Sequence, residues 1–305
     1  MIRVKNLEKR YGELTAVDDL SFAISGGETF GLLGPNGAGK STTINMLIGL
    51  LKPDSGQVSI QNNGNEGNPL DSQVRRIIGI SPQSLSLYDE LTARENLEFF
   101  GQIYGLAGSK LKQRIDWSLE FSGLGDRQND RITAYSGGMK RRLNIAVALI
   151  HEPQILLLDE PTVGVDPQSR NHIFDSIKSL KESGMTVIYT THYMEEAQRL
   201  CDRVAIVDQG KLLALDTVDK LIDQFGGLSS VSAELPNSKV QQIDVGDLVQ
   251  DLQINQHDIR FTSAQPLEAI TNLTINQGLK FKTVKISSPD LESVFLNLTG
   301  RTLRD

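Results

Sequence analysis

The chain has 305 residues, of which 39% are hydrophobic, 23% charged and only 6% aromatic. That length suits two domains better than one core, and the balance excludes collagen-like, coiled-coil and wholly disordered chains. With 31 basic against 38 acidic residues the net charge is −7, which favours no binding to nucleic acid, and the single cysteine, Cys201, supports neither an internal disulfide nor a zinc cluster, so a reducing cytosol is expected.

In chain order, Ile2, Val4 and Leu7, then Leu20, Phe22 and Ile24, follow the period-2 pattern of half-buried strands. The first residues therefore read as a strand rather than a signal peptide. After the turn at Gly26-Gly27, residues 29–33 read as a short buried strand, followed by a glycine-rich loop and a helix from Lys40 to Leu51 that Pro53 stops. A mostly helical stretch is expected over about 92–150, opened by Leu91-Thr92-Ala93-Arg94-Glu95-Asn96, broken at Gly105 and Gly108 and resumed from Leu111 to Phe121.

Two four-residue apolar runs, 155–158 and 186–189, flank a helical segment from Asp166 to Glu182. Strand, helix and strand without alternation inside the strands predict a parallel sheet buried on both faces. Residues 204–207 and 212–215, joined across Gln209-Gly210, predict a closing hairpin. Residues 226–230 read as a linker. Beyond it, strands are expected at 259–262 and 279–286, with Leu267, Ile270 and Leu273 as a helical stripe between them. Ser288-Pro289-Asp290 reads as a cap, an N1 proline and a first-turn acid before a last helix. No stretch approaches the ~18 continuous apolar residues that a bilayer requires.

Gly34-Pro35-Asn36-Gly37-Ala38-Gly39-Lys40-Ser41 matches the phosphate-loop pattern G-x-x-x-x-G-K-[ST], between an expected strand and an expected helix. Glycines let backbone N–H groups wrap a phosphate, and the helix that follows turns its positive end to the anion. Lys40 is placed to reach the β- and γ-phosphates, and the Ser41 hydroxyl to ligate magnesium. The strand at 155–158 ends in Asp159 and Glu160. Beside a phosphate loop, Asp159 is expected to hold the metal and Glu160 to polarise the attacking water as general base.

Tyr135-Ser136-Gly137-Gly138-Met139-Lys140 stands at the head of an apolar-periodic helix, with Ser136 as its expected cap. Here the chain resembles the ATP-binding subunits of ABC transporters, whose signature reads Leu-Ser-Gly-Gly-Gln; Tyr135 and Met139 replace its first and last members. Other elements follow in the family's order. Gln83 matches the Q-loop, Val163-Gly164-Val165-Asp166 resembles the D-loop, His192 after Thr190-Thr191 matches the switch histidine, and Tyr11 stands where the family stacks a ring on adenine. Taken alone, Gln83 is a surface amide, and His151, His172 and His257 read as ordinary structural histidines.

The resemblance implies an α/β P-loop NTPase fold, with a RecA-like core, an antiparallel β subdomain and a helical signature subdomain at about 84–152. Together these make an ATP-binding domain of residues 1–225, followed by a small C-terminal α/β accessory domain, 226–305. It implies nucleotide contacts from Tyr11, Gly34, Pro35, Asn36, Gly37, Ala38, Gly39, Lys40, Ser41, Thr42, Gln83, Ser136, Gly137, Gly138, Asp159 and Asp166. Magnesium would be held by Ser41, Gln83 and Asp159, and ATP hydrolysis carried by Glu160, His192 and Lys40. Two copies would sandwich two ATP molecules, Ser136 and Gly138 of one completing the site of the other.

The form Tyr-Ser-Gly-Gly-Met-Lys-Arg-Arg and the tail 290–301 resemble the ABC-2-type exporter branch, whose ATPases power separate integral membrane permeases for drugs, antibiotics or lipids. Such a protein sits in the cytoplasm, peripheral on the inner face of the cell membrane through its permease. An import ATPase with a regulatory domain would carry a longer β-rich extension. A soluble ABC protein of translation or DNA repair would carry two ATP domains, coiled coils or zinc insertions. Lys140-Arg141-Arg142 reads as a solvated basic face, and no nucleic-acid partner is expected. The C-terminal domain is expected either to steady the dimer or touch the permease, or equally to be only an appendage that adds stability.

Overall fold

The computed structural model describes residues 1–62, 64–236, 246–255 and 257–300. They divide into a first unit, Met1–Val218, and a second that begins at Asp219. In the first unit, β1 (Ile2–Tyr11) and β2 (Leu14–Ile24) pair antiparallel, and their alternation buries Ile2, Val4, Leu7, Leu20, Phe22 and Ile24 as the pattern predicts. Then come β3 (Thr29–Leu33), the phosphate loop, and α1 (Lys40–Leu47). This helix ends earlier than Pro53 would dictate. Gly49 takes a left-handed φ of 72° against the backbone of Pro69, a position where a side chain would collide.

β4 (Ser55–Asn62) and β5 (Asn65–Gly67) extend the first sheet in the order β2-β1-β4-β5. After α2 (Ser72–Arg75) and β6 (Ile78–Ser81) the chain turns helical. α3 (Ala93–Ile103) opens on a capping box: the Glu95 N–H donates to Thr92 Oγ1 at 3.2 Å and the Thr92 N–H to Glu95 Oε2 at 2.8 Å. Gly108 begins α4 (Gly108–Ser122) rather than breaking a helix, and α5 (Gly137–Ala148) follows. Leu97, Leu111, Ile115, Leu119, Leu143 and Val147 share the core of this helical part.

β7 (Ile155–Asp159), α6 (Pro167–Glu182), β8 (Thr186–Thr191), α7 (Met194–Leu200), β9 (Arg203–Asp208) and β10 (Lys211–Thr217) complete the unit. The second sheet runs β10-β9-β3-β8-β7-β6, parallel except where β10 meets β9. Every residue of β3, β7 and β8 is buried, which is why these strands read as unbroken apolar runs. The β9–β10 turn has φ of 49° at Gln209 and 78° at Gly210, the double left-handed form that suits a two-residue hairpin. One continuous core joins the two sheets, with the Phe22 and Phe30 rings stacked at 5.3 Å.

The basic run on α5 is not a solvated face. Arg141 is buried, and its guanidinium donates to the carbonyls of Pro82 (2.8 Å) and Gln83 (2.7 Å). Asn144, one turn on, donates to Ser81 Oγ (2.8 Å) and accepts from the Ser86 N–H (2.9 Å). Lys140 pairs with Asp89, and Arg142 donates to the Ser122 carbonyl. Apolar neighbours pull α5 into the interior, so its basic side chains find carbonyls and a carboxylate instead of water. The phosphate loop is thereby set beside a segment around Gln83 that α5 holds by four hydrogen bonds.

In the second unit, α8 (Val218–Phe225) precedes β11 (Ser229–Glu234), β12 (Gln250–Ile254), β13 (Asp258–Ser263), α9 (Pro266–Ile275), β14 (Thr283–Ser287) and α10 (Leu291–Thr299). The strands form one antiparallel sheet, β12-β13-β11-β14. Part of the expected linker is strand, because Val231 and Ala233 bury themselves at period 2 within a serine-rich run. On α9 the inward stripe is Ala269, Ile270 and Leu273, whereas Leu267 is 72% exposed. The strand expected from Leu279 starts only at Thr283, since Leu279 and Phe281 pack against the core ahead of it. The last helix is capped by Asp290, which accepts from the Ser293 N–H at 2.9 Å, rather than by Ser288. Arg301 lies outside the described residues. No helix among the described residues is long and apolar enough to cross a membrane.

Two outcomes follow from the helical part. His151 stacks on Tyr104 at 3.7 Å, its Nε2 donates to the Ile78 carbonyl, and burial lowers its pKa from 6.5 to about 4. The unfolded chain thus binds the proton first, and stability declines as pH falls from 6.5 towards about 4. Urea unfolding across that window shows a flatter dependence in His151→Phe, which keeps the ring stack. Arg141→Met strands the Pro82 and Gln83 carbonyls and costs about 2 kcal/mol of unfolding free energy in the same measurement.

Candidate functional site

The phosphate loop spans the gap between β3 and α1, and its shape depends on two glycines. Gly39 caps α1 at φ 99°, where a side chain would run into the Ala16 carbonyl, and a side chain at Gly34 would meet the Val207 carbonyl. Only glycine fits both crossings. Ala38 is buried behind the loop, its N–H bonded to the Pro35 carbonyl at 3.1 Å. The Lys40 ammonium folds back along the loop and donates to the carbonyls of Gly34 (2.8 Å) and Pro35 (3.1 Å). Pro35, Asn36, Gly37, Gly39, Lys40, Ser41 and Thr42 line a cleft of about 240 Å³ together with Tyr11, Gln83 and Glu160.

Glu160 is the hub of that cleft. One carboxylate oxygen, Oε1, lies 3.1 Å from Lys40 Nζ and 3.2 Å from His192 Nδ1, and the other accepts from Gln83 Nε2 at 3.3 Å. Three residues far apart in sequence thus meet at Glu160, which is only 6% exposed. Its backbone is left-handed at φ 46°, a conformation costing about 1 kcal/mol or more in a residue with a Cβ. Hydrogen bonds hold it there: the Glu160 N–H donates to Thr190 Oγ1 (2.9 Å) and towards the Thr190 carbonyl (3.2 Å). The Thr190 hydroxyl in turn donates to Asp159 Oδ1 at 2.7 Å. β8 therefore fixes both acids at the end of β7.

Ser136, Gly137, Gly138 and Asp166 form a second group, and none of them lines the phosphate-loop cleft. Ser136 caps α5, accepting from the Met139 N–H at 3.3 Å. Asp166 caps α6, accepting from the Ser169 N–H at 2.9 Å, and that bond holds its carboxyl below the usual range. A side chain at Gly138 would strike Ser169 and the Asp166 carboxylate, so two helix N-termini lie against each other here. Both departures from the family signature meet Arg127. The buried Tyr135 donates its hydroxyl to the Arg127 carbonyl at 2.7 Å, and the Arg127 guanidinium reaches Met139 Sδ at 3.8 Å.

Sequence reasoning missed Thr190 and Arg141. Thr190 reads only as part of the run that leads to His192, with no role of its own. Arg141 left a faint trace, because it and Asn144 are one turn apart on a helix whose neighbours are apolar. The oxygen donors expected for a metal, Ser41, Gln83 and Asp159, suit a hard cation such as magnesium, which keeps several waters and needs few protein ligands. No cluster of three or more His, Cys, Asp or Glu able to hold a metal by themselves occurs among the described residues.

Comparison with known proteins gives the family. The sequence profile described as ABC transporter matches residues 17–163. The chain is 44% identical to the linearmycin resistance ATP-binding protein LnrL of Bacillus subtilis, over all of both chains. It is 39% identical to the Nod factor export ATP-binding protein I of Sinorhizobium fredii, over all of this chain and 87% of that one. A solved dimeric structure of the ATP-binding cassette MJ0796, in a post-hydrolysis state with ADP and Pi, superposes on 71% of this chain and 98% of its own with a TM-score of 0.64 at 31% identity. With a full-length relative at this identity, and a phosphate-loop cleft whose Glu160 contacts Lys40, Gln83 and His192, the chain belongs to the ABC transporter family, among its ATP-binding, ATP-hydrolysing subunits.

Proposed function

We propose that this protein is the ATPase of an ABC-2-type exporter, closing as a pair of copies around two ATP molecules and driving a separate membrane permease that expels a drug, antibiotic or lipid-like compound. The observation that carries the hydrolytic half of this reading is the Glu160 carboxylate, in contact with Lys40, His192 and Gln83 at the mouth of the phosphate loop. In this reading Lys40 and the loop N–H groups hold the β- and γ-phosphates, Glu160 takes a proton from the attacking water, and His192 keeps that water and the γ-phosphate aligned. Ser41, Gln83 and Asp159 would hold magnesium, which when bound neutralises charge on the phosphate oxygens.

Ser136 and Gly138 lie outside the cleft of their own chain, which suits a part in the partner's site. A γ-phosphate gripped from both sides favours the closed pair, and its loss on hydrolysis releases it. The first unit, Met1–Val218, does this work, and the unit that begins at Asp219, a little ahead of the boundary expected at 225/226, forms an accessory domain. The export reading draws on the linearmycin resistance and Nod factor export relatives, which match through the C-terminal part as well. A permease face is supplied by Leu85, Tyr88, Phe99 and Ile103, large apolar side chains exposed beside Gln83 and on α3. The protein then works in the cytoplasm against the inner face of the membrane.

Glu160→Gln keeps ATP binding, lowers turnover about a hundredfold or more, and accumulates an ATP-dependent dimer on size-exclusion chromatography. Brisk hydrolysis, or a monomer in ATP, refutes the assignment. Lys40→Ala loses ATP binding in isothermal titration, and unchanged affinity contradicts the role given to the loop.

A further inference from the structure

Glu196, on α7, is only 3% exposed, and nothing above uses it. Three hydroxyls converge on its carboxylate. The Thr162 hydroxyl lies 2.8 Å from Oε1 and 2.9 Å from Oε2, the Tyr189 hydroxyl donates to Oε2 at 2.8 Å, and Thr191 Oγ1 donates to Oε2 at 3.0 Å. A buried carboxylate is retained only where donors replace its lost water, and here each donor belongs to a segment that ends at the hydrolytic centre. Thr162 is two residues past Glu160, and Thr191 immediately precedes His192. Thr191 also accepts from the Tyr193 N–H at 2.8 Å, and the Tyr193 ring packs against the His192 imidazole at 4.1 Å.

We propose that Glu196 is a positioning residue for ATP hydrolysis, its buried carboxylate fastening the segment after Glu160 and the segment before His192 to one point and so keeping those two side chains in register. The proposal rests on the reading of Glu160 and His192 as the hydrolytic pair. The contact between them is 3.2 Å long and spans two separate strand ends, β7 and β8. The Thr190 bonds anchor Glu160 and Asp159 at their backbone and carboxylate, but they do not reach the chain beyond Glu160 or the turn that aims the imidazole. Glu196 reaches both. Its effect falls on the alignment of the reacting groups, since its hydrogen bonds go to Thr162, Tyr189 and Thr191 rather than to the phosphate loop.

The test uses the full chain with MgATP. Glu196→Gln lowers kcat about tenfold or more and leaves KM for ATP within about twofold, because misalignment costs rate rather than binding. In a His192→Ala background, followed as single-turnover phosphate release, Glu196→Gln costs clearly less than in the wild type, since one of the two groups it keeps in register is gone. An equal loss in both backgrounds, or a rise in KM without a fall in kcat, overturns the proposal. Wild-type turnover in His192→Ala alone instead overturns the hydrolytic pair, and this proposal with it. Should Glu196→Gln not fold, the near-isosteric Thr162→Val and Thr191→Val are read in its place. Each removes one tether and lowers kcat about threefold or more at unchanged KM, and wild-type kcat in both overturns the proposal.

Discussion

A carboxylate taken out of water must find a charge and hydrogen-bond donors nearby, and Glu160 finds them in Lys40, His192 and Gln83. These partners come from the first residue of α1, the residue just after β8 and the segment after β6, so no single element can build the cleft. The central sheet provides the solution. Parallel strands deliver β3, β6, β7 and β8 to the same edge at their carboxyl ends, and the chemistry collects where they stop. The cost of removing Glu160 from solvent is offset only when all of these ends are in place, which ties the cleft to the integrity of the whole sheet.

Much of this was legible in the sequence, for physical reasons. Buried parallel strands must be apolar on both faces, so residues 155–158 and 186–189 announced themselves, and a phosphate cradle needs glycines at fixed spacing, so residues 34–41 did too. What the sequence concealed was tertiary. Arg141 looked solvated because a basic residue on a helix usually is, and only the docking of α5 reveals the carbonyls waiting for it. α1 stops at Leu47 because Gly49, just past its end, takes the left-handed conformation that closes a helix, a local signal that the later Pro53 overshadowed.

In the second unit, period 2 was hidden by serines and by the small Ala233, so a strand passed for a linker. Leu267 looked like part of an inward stripe because helical spacing fixes which residues share a face but not which face turns inward. At the last helix, Ser288 and Asp290 were both able to cap, and the backbone geometry selects the acid.

α5 carries Ser136 at its tip and Arg141 and Asn144 farther along, and those two grip the residues flanking and including Gln83. From Ser136 to Arg141 the helix rises about 7.5 Å, too short a span of hydrogen-bonded backbone to bend appreciably. The helix therefore works as a stiff lever with its grip at one end and a serine–glycine point at the other. A displacement of the chain around Gln83 strains the charged hydrogen bonds at the grip, so the position of that segment and the position of the point are linked through one short helix.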